Sequence, residues 1–221
     1  MNRPLPTRDV YDRWAESYPP RPHNPLMRAE QKAMLEHWPQ ATGRRALDLA
    51  CGTGRYAGLL AQSGASEVFS VDFSAAMLRQ NSTVNRVRAN MMQLPFIDNV
   101  FETVICGLAI GHATELQRWM GEAARVLKVD GVLLYSDFHP EAARAGLTRS
   151  FKDALNRSFT LPHCCYGLNE QREAVAAANL TLEVMHEVRM GVELQEAFPG
   201  SDAIYRQWRG LPLVLIVRAR K

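Results

Sequence analysis

Cysteine is scarce and unpaired in this chain: Cys51, Cys106, Cys164 and Cys165 are its four thiols, and none forms a CxxC pair. That excludes a disulfide scaffold or a zinc ribbon and fits free thiols in a reducing compartment. No window approaches the roughly 18 apolar residues needed to span a bilayer, and the opening Met1-Asn2-Arg3-Pro4-Leu5-Pro6 carries no apolar leader. The expectation is a cytoplasmic protein with no membrane partner. Blocks of like charge are also missing. The net charge is +3 and the pI near 8.8, but Lys and Arg are scattered, which speaks against a nucleic-acid partner. There is no internal repeat and no low-complexity segment.

What the sequence does have is the makings of one globular domain. Its 221 residues, 47% hydrophobic and 22% charged, are enough to bury a continuous core. From residue 44, short apolar runs rich in Val, Leu and Ile alternate with stretches of helical period, the pattern of a parallel sheet with crossover helices. Strands are predicted at 45–50, 67–71, 85–89, 102–108 and 131–137, with helices at 54–63, 74–80 and 115–127. In the last of these helices Leu116, Trp119, Met120, Ala123, Val126 and Leu127 share one face. A helix at 169–178 and strands at 181–190 and 211–217 follow, the two strands pairing antiparallel. The fold class is α/β, a Rossmann-like doubly wound sheet, mostly parallel with an antiparallel last strand. Residues 139–168, with Pro140, Gly146, Pro162 and Gly167 around an amphipathic stretch at 147–159, read as an inserted lid on a single domain.

The chemistry begins at Leu47-Asp48-Leu49-Ala50-Cys51-Gly52-Thr53-Gly54. Small residues between an apolar strand and a helix let backbone amides approach a ligand at the helix N-terminus. Ala50 stands first and no third glycine follows, so the dinucleotide G-x-G-x-x-G is absent and a nicotinamide enzyme is disfavoured. Gly52 and Gly54 alone would serve equally well as a tight turn. Asp72, at the end of the following strand, adds a carboxylate suited to a ribose diol. The two turns together indicate a nucleoside.

Asp48 to Gly54, then Val71-Asp72-Phe73-Ser74 with Met77-Leu78, then Leu94-Pro95-Phe96 resemble the successive motifs of class I S-adenosylmethionine-dependent methyltransferases, over about residues 44–137. The resemblance implies S-adenosylmethionine as cofactor. It implies that Asp48, Ala50, Gly52 and Gly54 lie against its methionine part, Asp72 and Phe73 against its ribose, and Asn90 and Met91 against its adenine. Many members carry Asp where Asn90 stands, and Asn still accepts through its carbonyl. Upstream, Tyr11, Trp14, Ala15 and Tyr18 share one helix face, resembling the helix that many small-molecule members fold over the cofactor. The same spacing suits a helix that merely docks. Tyr11 and Tyr18 are read as cofactor-covering residues within a cover formed by residues 1–43. Pro19, Pro20, Pro22 and Pro25 should then make a stiff extended link carrying Arg21 and His23.

A sulfonium methyl is already electrophilic, so the protein must mainly align a nucleophile and exclude water. A histidine suits the base. His112, after the fourth strand, and His139, after the fifth, are the catalytic candidates, because the crevice of an open α/β sheet lies at those strand ends. Each also suits an ordinary hydrogen-bonded loop residue. His163 and His23 rank lower, and His37 and His186 are read as structural. Asp137 and His139 are two ligands without a third, so no metal is expected. The Pro-Pro-Tyr type of motif seen in enzymes that methylate nucleobase amines is absent, which disfavours DNA as substrate. Arg144, Arg149, Lys152 and Arg157 in the lid form either a solvated face or a site for a carboxylate or an acidic acyl carrier. Near them Phe138, Phe151, Phe159 and Tyr166 suit a flat organic acceptor. The expectation is therefore methyl transfer to oxygen or carbon of a small organic molecule. Two alternatives stand beside it: a carboxyl O-methyltransferase acting on a malonyl-acyl-carrier thioester, and a non-catalytic cofactor-binding module. The sequence leaves the acceptor and the oligomeric state open.

Overall fold

A computed structural model describes residues 7–152, 158–189, 191, 206 and 209–221. Among them, in chain order, are β1 (Arg45–Leu49), α3 (Arg55–Gln62), β2 (Glu67–Asp72), α4 (Ala75–Gln80) and β3 (Asn85–Arg88), after the helices α1 (Thr7–Trp14) and α2 (Pro25–Glu36). Then come β4 (Phe101–Gly107), α5 (Leu116–Val126), β5 (Leu127–Phe138), α6 (Pro140–Arg144), β6 (Ser150–Lys152), β7 (Ser158–Thr160), α7 (Leu168–Ala177), β8 (Thr181–Arg189) and β9 (Pro212–Arg220).

The main sheet has the order β3-β2-β1-β4-β5-β9-β8. Its first five strands run parallel, and β9 pairs antiparallel with both β5 and β8, so the doubly wound reading and the antiparallel final pair both hold. The order reverses between β1 and β4. At such a switch point the loops leave in opposite directions and open a crevice at the carboxyl ends of the strands.

Strand periodicity explains why both faces are apolar. In β4, Val104 and Cys106 pack in one core with Trp119, Met120 and Ala123 of α5, while Ile105 points into the other with Met27 and Met34 of α2 and Leu60 of α3. A strand buried on both sides must be apolar at consecutive positions, and Val104, Ile105 and Cys106 are all fully buried.

Two expectations are corrected. Pro25 does not extend the proline link: it is the first residue of α2, with Asn24 capping the helix by accepting from Met27 N at 2.9 Å. Proline is well placed there, since its fixed φ suits a helix start and its missing N–H would have no partner. Within the amphipathic stretch expected in the lid, β6 and β7 pair antiparallel instead of forming a helix, with Phe151 opposite Phe159 in the register. Ser150-Phe151-Lys152 and Ser158-Phe159-Thr160 alternate with period two, which suits a strand pair better than a helix. The residues between them, Asp153 and Arg157 included, lie outside the described residues.

Candidate active site

At the switch point lies a cavity of about 370 Å³, a volume suited to a small ligand or cofactor. Of the ten residues expected to hold a nucleoside, nine line it: Tyr11, Tyr18, Asp48, Ala50, Gly52, Asp72, Phe73, Asn90 and Met91. Gly54 does not. It adopts φ +88°, and a Cβ there would stand 2.5 Å from Asn81 Oδ1, so this glycine lets the loop close against the Asn81 side chain.

The β1 loop is shaped for close approach. Gly52 sits at φ +54° with nothing within 4 Å of where a Cβ would be, an open cradle over backbone amides. Ala50 is also left-handed, at φ 57°, a conformation that costs a residue with a Cβ about 1 kcal/mol or more. Across the crevice Leu108, just past β4, has φ 53°. Strained backbone therefore flanks the switch point on both sides.

Asp72 organises the loop from below. Its Oδ2 accepts from Gly52 N and its Oδ1 from Ser74 N, both at 2.8 Å. Each carboxylate oxygen keeps a second acceptor position, which is what a ribose diol needs. Burial raises the pKa of Asp72, and the backbone donors of Ser74 and Gly52 oppose that. Asp48 is fully buried and accepts from Ala57 N at 2.8 Å; burial pushes its carboxyl up to about 7. Asn90 Oδ1 already accepts from Met92 N at 2.9 Å. Phe73 is 52% exposed at the cavity's edge.

The N-terminal segment closes the top. The helical register ends sooner than expected: α1 stops at Trp14, a single 3-10 turn covers Ala15–Ser17, and Tyr18 is extended. The aromatic face survives this change. Val10 packs with Leu161, beside Tyr11 and Trp14, while Ala15 packs against Ala76 and Met77 of α4. Ser74, which caps α4, donates to Asp12 at 2.5 Å.

The two candidate histidines part company. His112 lines the cavity, and its Nε2 lies 2.8 Å from the Tyr11 hydroxyl. Burial, with Arg149 and His163 adding repulsion, lowers His112 to about 2, and burial pushes Tyr11 up to about 12. The pair is neutral at physiological pH. His139 is outside the cavity lining: it caps α6, its Nδ1 accepting from Glu141 N at 3.1 Å, and its Nε2 lies 3.2 Å from Glu187 Oε1.

Three residues that sequence reasoning missed or placed loosely shape the site. Arg149, expected only as part of a lid cluster, lines the cavity and donates through Nη2 to Leu108 O, while its buried Nη1 has no hydrogen-bond partner. Burial works against its charge, yet Tyr11 and Asp137 more than offset that and raise its pKa. Arg55, also in the lining, pairs with the fully buried Glu30 of α2 at 2.7 Å. Glu30 further accepts from Tyr56 Oη at 2.7 Å and from Ser136 Oγ at 2.5 Å. The signal for Glu30 was there to be found: a carboxylate at a core position of the helical pattern Met27, Glu30, Ala33, Met34.

No helix among the described residues is long and apolar enough to cross a membrane. The model of a methyltransferase domain matches residues 47–135. A 2-phytyl-1,4-naphtoquinone methyltransferase of Trichormus variabilis is 36% identical over 121 residues, covering 49% of this chain and 53% of the relative. A malonyl-[acyl-carrier protein] O-methyltransferase of Halorhodospira halophila is 38% identical over 107 residues, covering 44% and 36%. The chain thus spans about half or less of these two relatives' lengths. Among solved structures, an S-adenosylmethionine-dependent methyltransferase from Mesorhizobium loti superposes with a TM-score of 0.68 at 21% identity, over 87% of this chain and 98% of that one.

Proposed function

Since residues 47–135 are a class I S-adenosylmethionine-dependent methyltransferase domain, with that sulfonium nucleoside as cofactor, we propose that the chain methylates oxygen or carbon of a small organic acceptor. The observation that carries this reading is the cavity in which a nucleoside cradle, built on Gly52 and Asp72, meets the Tyr11 and His112 pair. When bound, the cofactor supplies an electrophilic methyl group.

The remaining work falls to the chain's own side chains. Tyr11 and Tyr18 cover the cofactor and exclude water. Asp72 holds the ribose hydroxyls, Ala50 and Gly52 with Asp48 line the methionine end, Gly54 keeps their loop closed, and Asn90 with Met91 borders the adenine. With burial holding its pKa near 2 and its Nε2 at the Tyr11 hydroxyl, His112 stays neutral and, with Tyr11, orients an acceptor hydroxyl by hydrogen bonding, leaving that proton to solvent. His139 has no part in this scheme, since it caps a helix away from the cavity. Residues 139–168 act as a lid whose Arg149 reaches the reacting end. The four free thiols support a reducing, cytoplasmic setting.

Arg149 favours one second reading. A buried guanidinium with an unpaired N–H suits an acceptor that carries an oxyanion, such as an acidic phenol or the carboxylate of an acyl-carrier thioester. Relatives named for a naphthoquinone and for a malonyl-acyl-carrier substrate stand on the two sides of that choice. Incubation with labelled S-adenosylmethionine and a panel of naphthols, naphthoates and malonyl-loaded carrier protein tests both. Transfer to one class of acceptor is expected. S-adenosylhomocysteine binding without transfer to any of them would favour a non-catalytic module.

A further inference from the structure

Outside the cavity, the end of α2 meets the edge strand β8 through an unusual pair. His37 Nε2 lies 3.0 Å from His186 Nδ1, with ring centroids 5.2 Å apart and planes at 88°. The two residues are 149 positions apart in sequence, so the fold and not local geometry brings them together. Glu36, next to His37, places a carboxylate oxygen beside them, and the three ligand atoms all lie within 4.8 Å of one another.

We propose that Glu36, His37 and His186 form a surface site for a divalent transition ion of the zinc class. Two imidazoles and a carboxylate are the donor set such an ion prefers, with a fourth position left to water. The spacing agrees. Two nitrogens bound to one tetrahedral ion at about 2.0–2.1 Å stand roughly 3.3 Å apart, so the pair need only open by a few tenths of an ångström. Each imidazole would bind through the nitrogen it now turns toward the other.

The surrounding charge permits this. Arg218 approaches, donating through Nη1 to the His37 carbonyl at 2.8 Å, but its Nε is held by Glu183 at 2.7 Å. The consequence lies in what the ion would join. Helix α2 carries Glu30, which supports Arg55 in the cavity, while among the described residues β8 pairs with β9 at the edge of the sheet. A bound ion would fasten the helix beneath the cavity to that edge, at a place where no catalytic group lies.

The test uses Zn2+ and Co2+ alone on the chelator-treated 221-residue chain. Calorimetry should show one Zn2+ per chain, and Zn2+ should raise Tm, because an ion that binds only the folded state stabilises it. Co2+ should give the intense visible absorption of a tetrahedral site. Both His37→Asn and His186→Asn should weaken Zn2+ by about tenfold or more, and the exposed Glu36→Gln should weaken it less while keeping the chelated protein's Tm. An unchanged Tm with Zn2+ would overturn the proposal. So would binding that survives both histidine variants and disappears in Cys165→Ser, since Cys165 Sγ lies 3.8 Å from His163 Nε2 and offers the rival site.

Discussion

The Tyr11 hydroxyl and His112 Nε2 meet at 2.8 Å across 101 residues of sequence, joining the N-terminal helix to the loop after β4 directly over the cavity. This bond closes the cover without any charged group. Tyr11→Phe should therefore loosen the cover while leaving its aromatic packing intact. We expect S-adenosylhomocysteine to bind more weakly by about 0.5–1.5 kcal/mol, the net worth of one hydrogen bond. Isothermal calorimetry that finds equal affinity would mean the bond does not help hold the cofactor.

The depressed pKa of His112 has a signature in stability. Its folded-state value of about 2 lies below the ordinary histidine value of 6.5, so below pH 6.5 the unfolded chain binds a proton that the folded chain refuses. Stability is thus lost as pH falls through 6.5 toward 2. Relative to His112→Gln, which cannot titrate, the native chain should lose about 1 kcal/mol between pH 6.5 and 5.5. Urea unfolding at the two pH values measures this, and parallel changes in both proteins would show that His112 titrates normally.

Asp72 does two things at once, and replacing it should reveal both. Asp72→Ala removes the acceptor for Gly52 N and Ser74 N as well as the partner of the ribose. S-adenosylhomocysteine affinity should fall by roughly 1.5–3 kcal/mol, the range for hydrogen bonds to a charged group, and Tm should fall in the absence of ligand. A lower Tm with unchanged affinity would make Asp72 a loop brace only.

How much of this was legible beforehand depended on where the determining contacts lie. The cradle was readable because glycine and aspartate positions there answer to local backbone demands: Gly52 must leave space, and Asp72 follows its strand. Tyr11 and Tyr18 were readable from helical spacing, although the helix breaks at Trp14. The choice between His112 and His139 was not, because both follow strands of the same sheet. Tertiary packing alone turns one toward Tyr11 and the other toward Glu187. The strand pair in the lid was not foreseen, because three residues on each side are too few to establish period two. Arg149 was noticed as charge but not as a cavity residue, since its place is fixed by Leu108 O, 41 residues away.

Arg149 leads to a prediction about selectivity. Its unpaired N–H should favour an anionic probe over a neutral one of the same shape. With the protein saturated in S-adenosylhomocysteine, 2-naphthoate should bind more tightly than 2-naphthamide, and Arg149→Gln should abolish a preference of about 1.5–3 kcal/mol. S-adenosylhomocysteine affinity should be nearly unchanged in the variant. If the variant instead loses S-adenosylhomocysteine itself, Arg149 serves the cofactor's carboxylate and the acceptor need not be an anion.

Glu30 is a fully buried carboxylate on which three side chains converge. Its buried carboxylate accepts from Arg55, Tyr56 and Ser136, and Arg55 has 9% side-chain exposure. Removing the acid leaves a buried guanidinium without its counter-charge, a change that typically costs about 3–5 kcal/mol. Glu30→Ala should accordingly lower stability by that order, whereas Glu30→Gln, which keeps an acceptor oxygen, should lose less. The two variants also separate folding from function. If Arg55 is held in the cavity by Glu30, then Glu30→Gln should weaken S-adenosylhomocysteine binding even at a temperature where the protein stays folded. Full affinity in that variant would mean the network only braces α2 against the sheet.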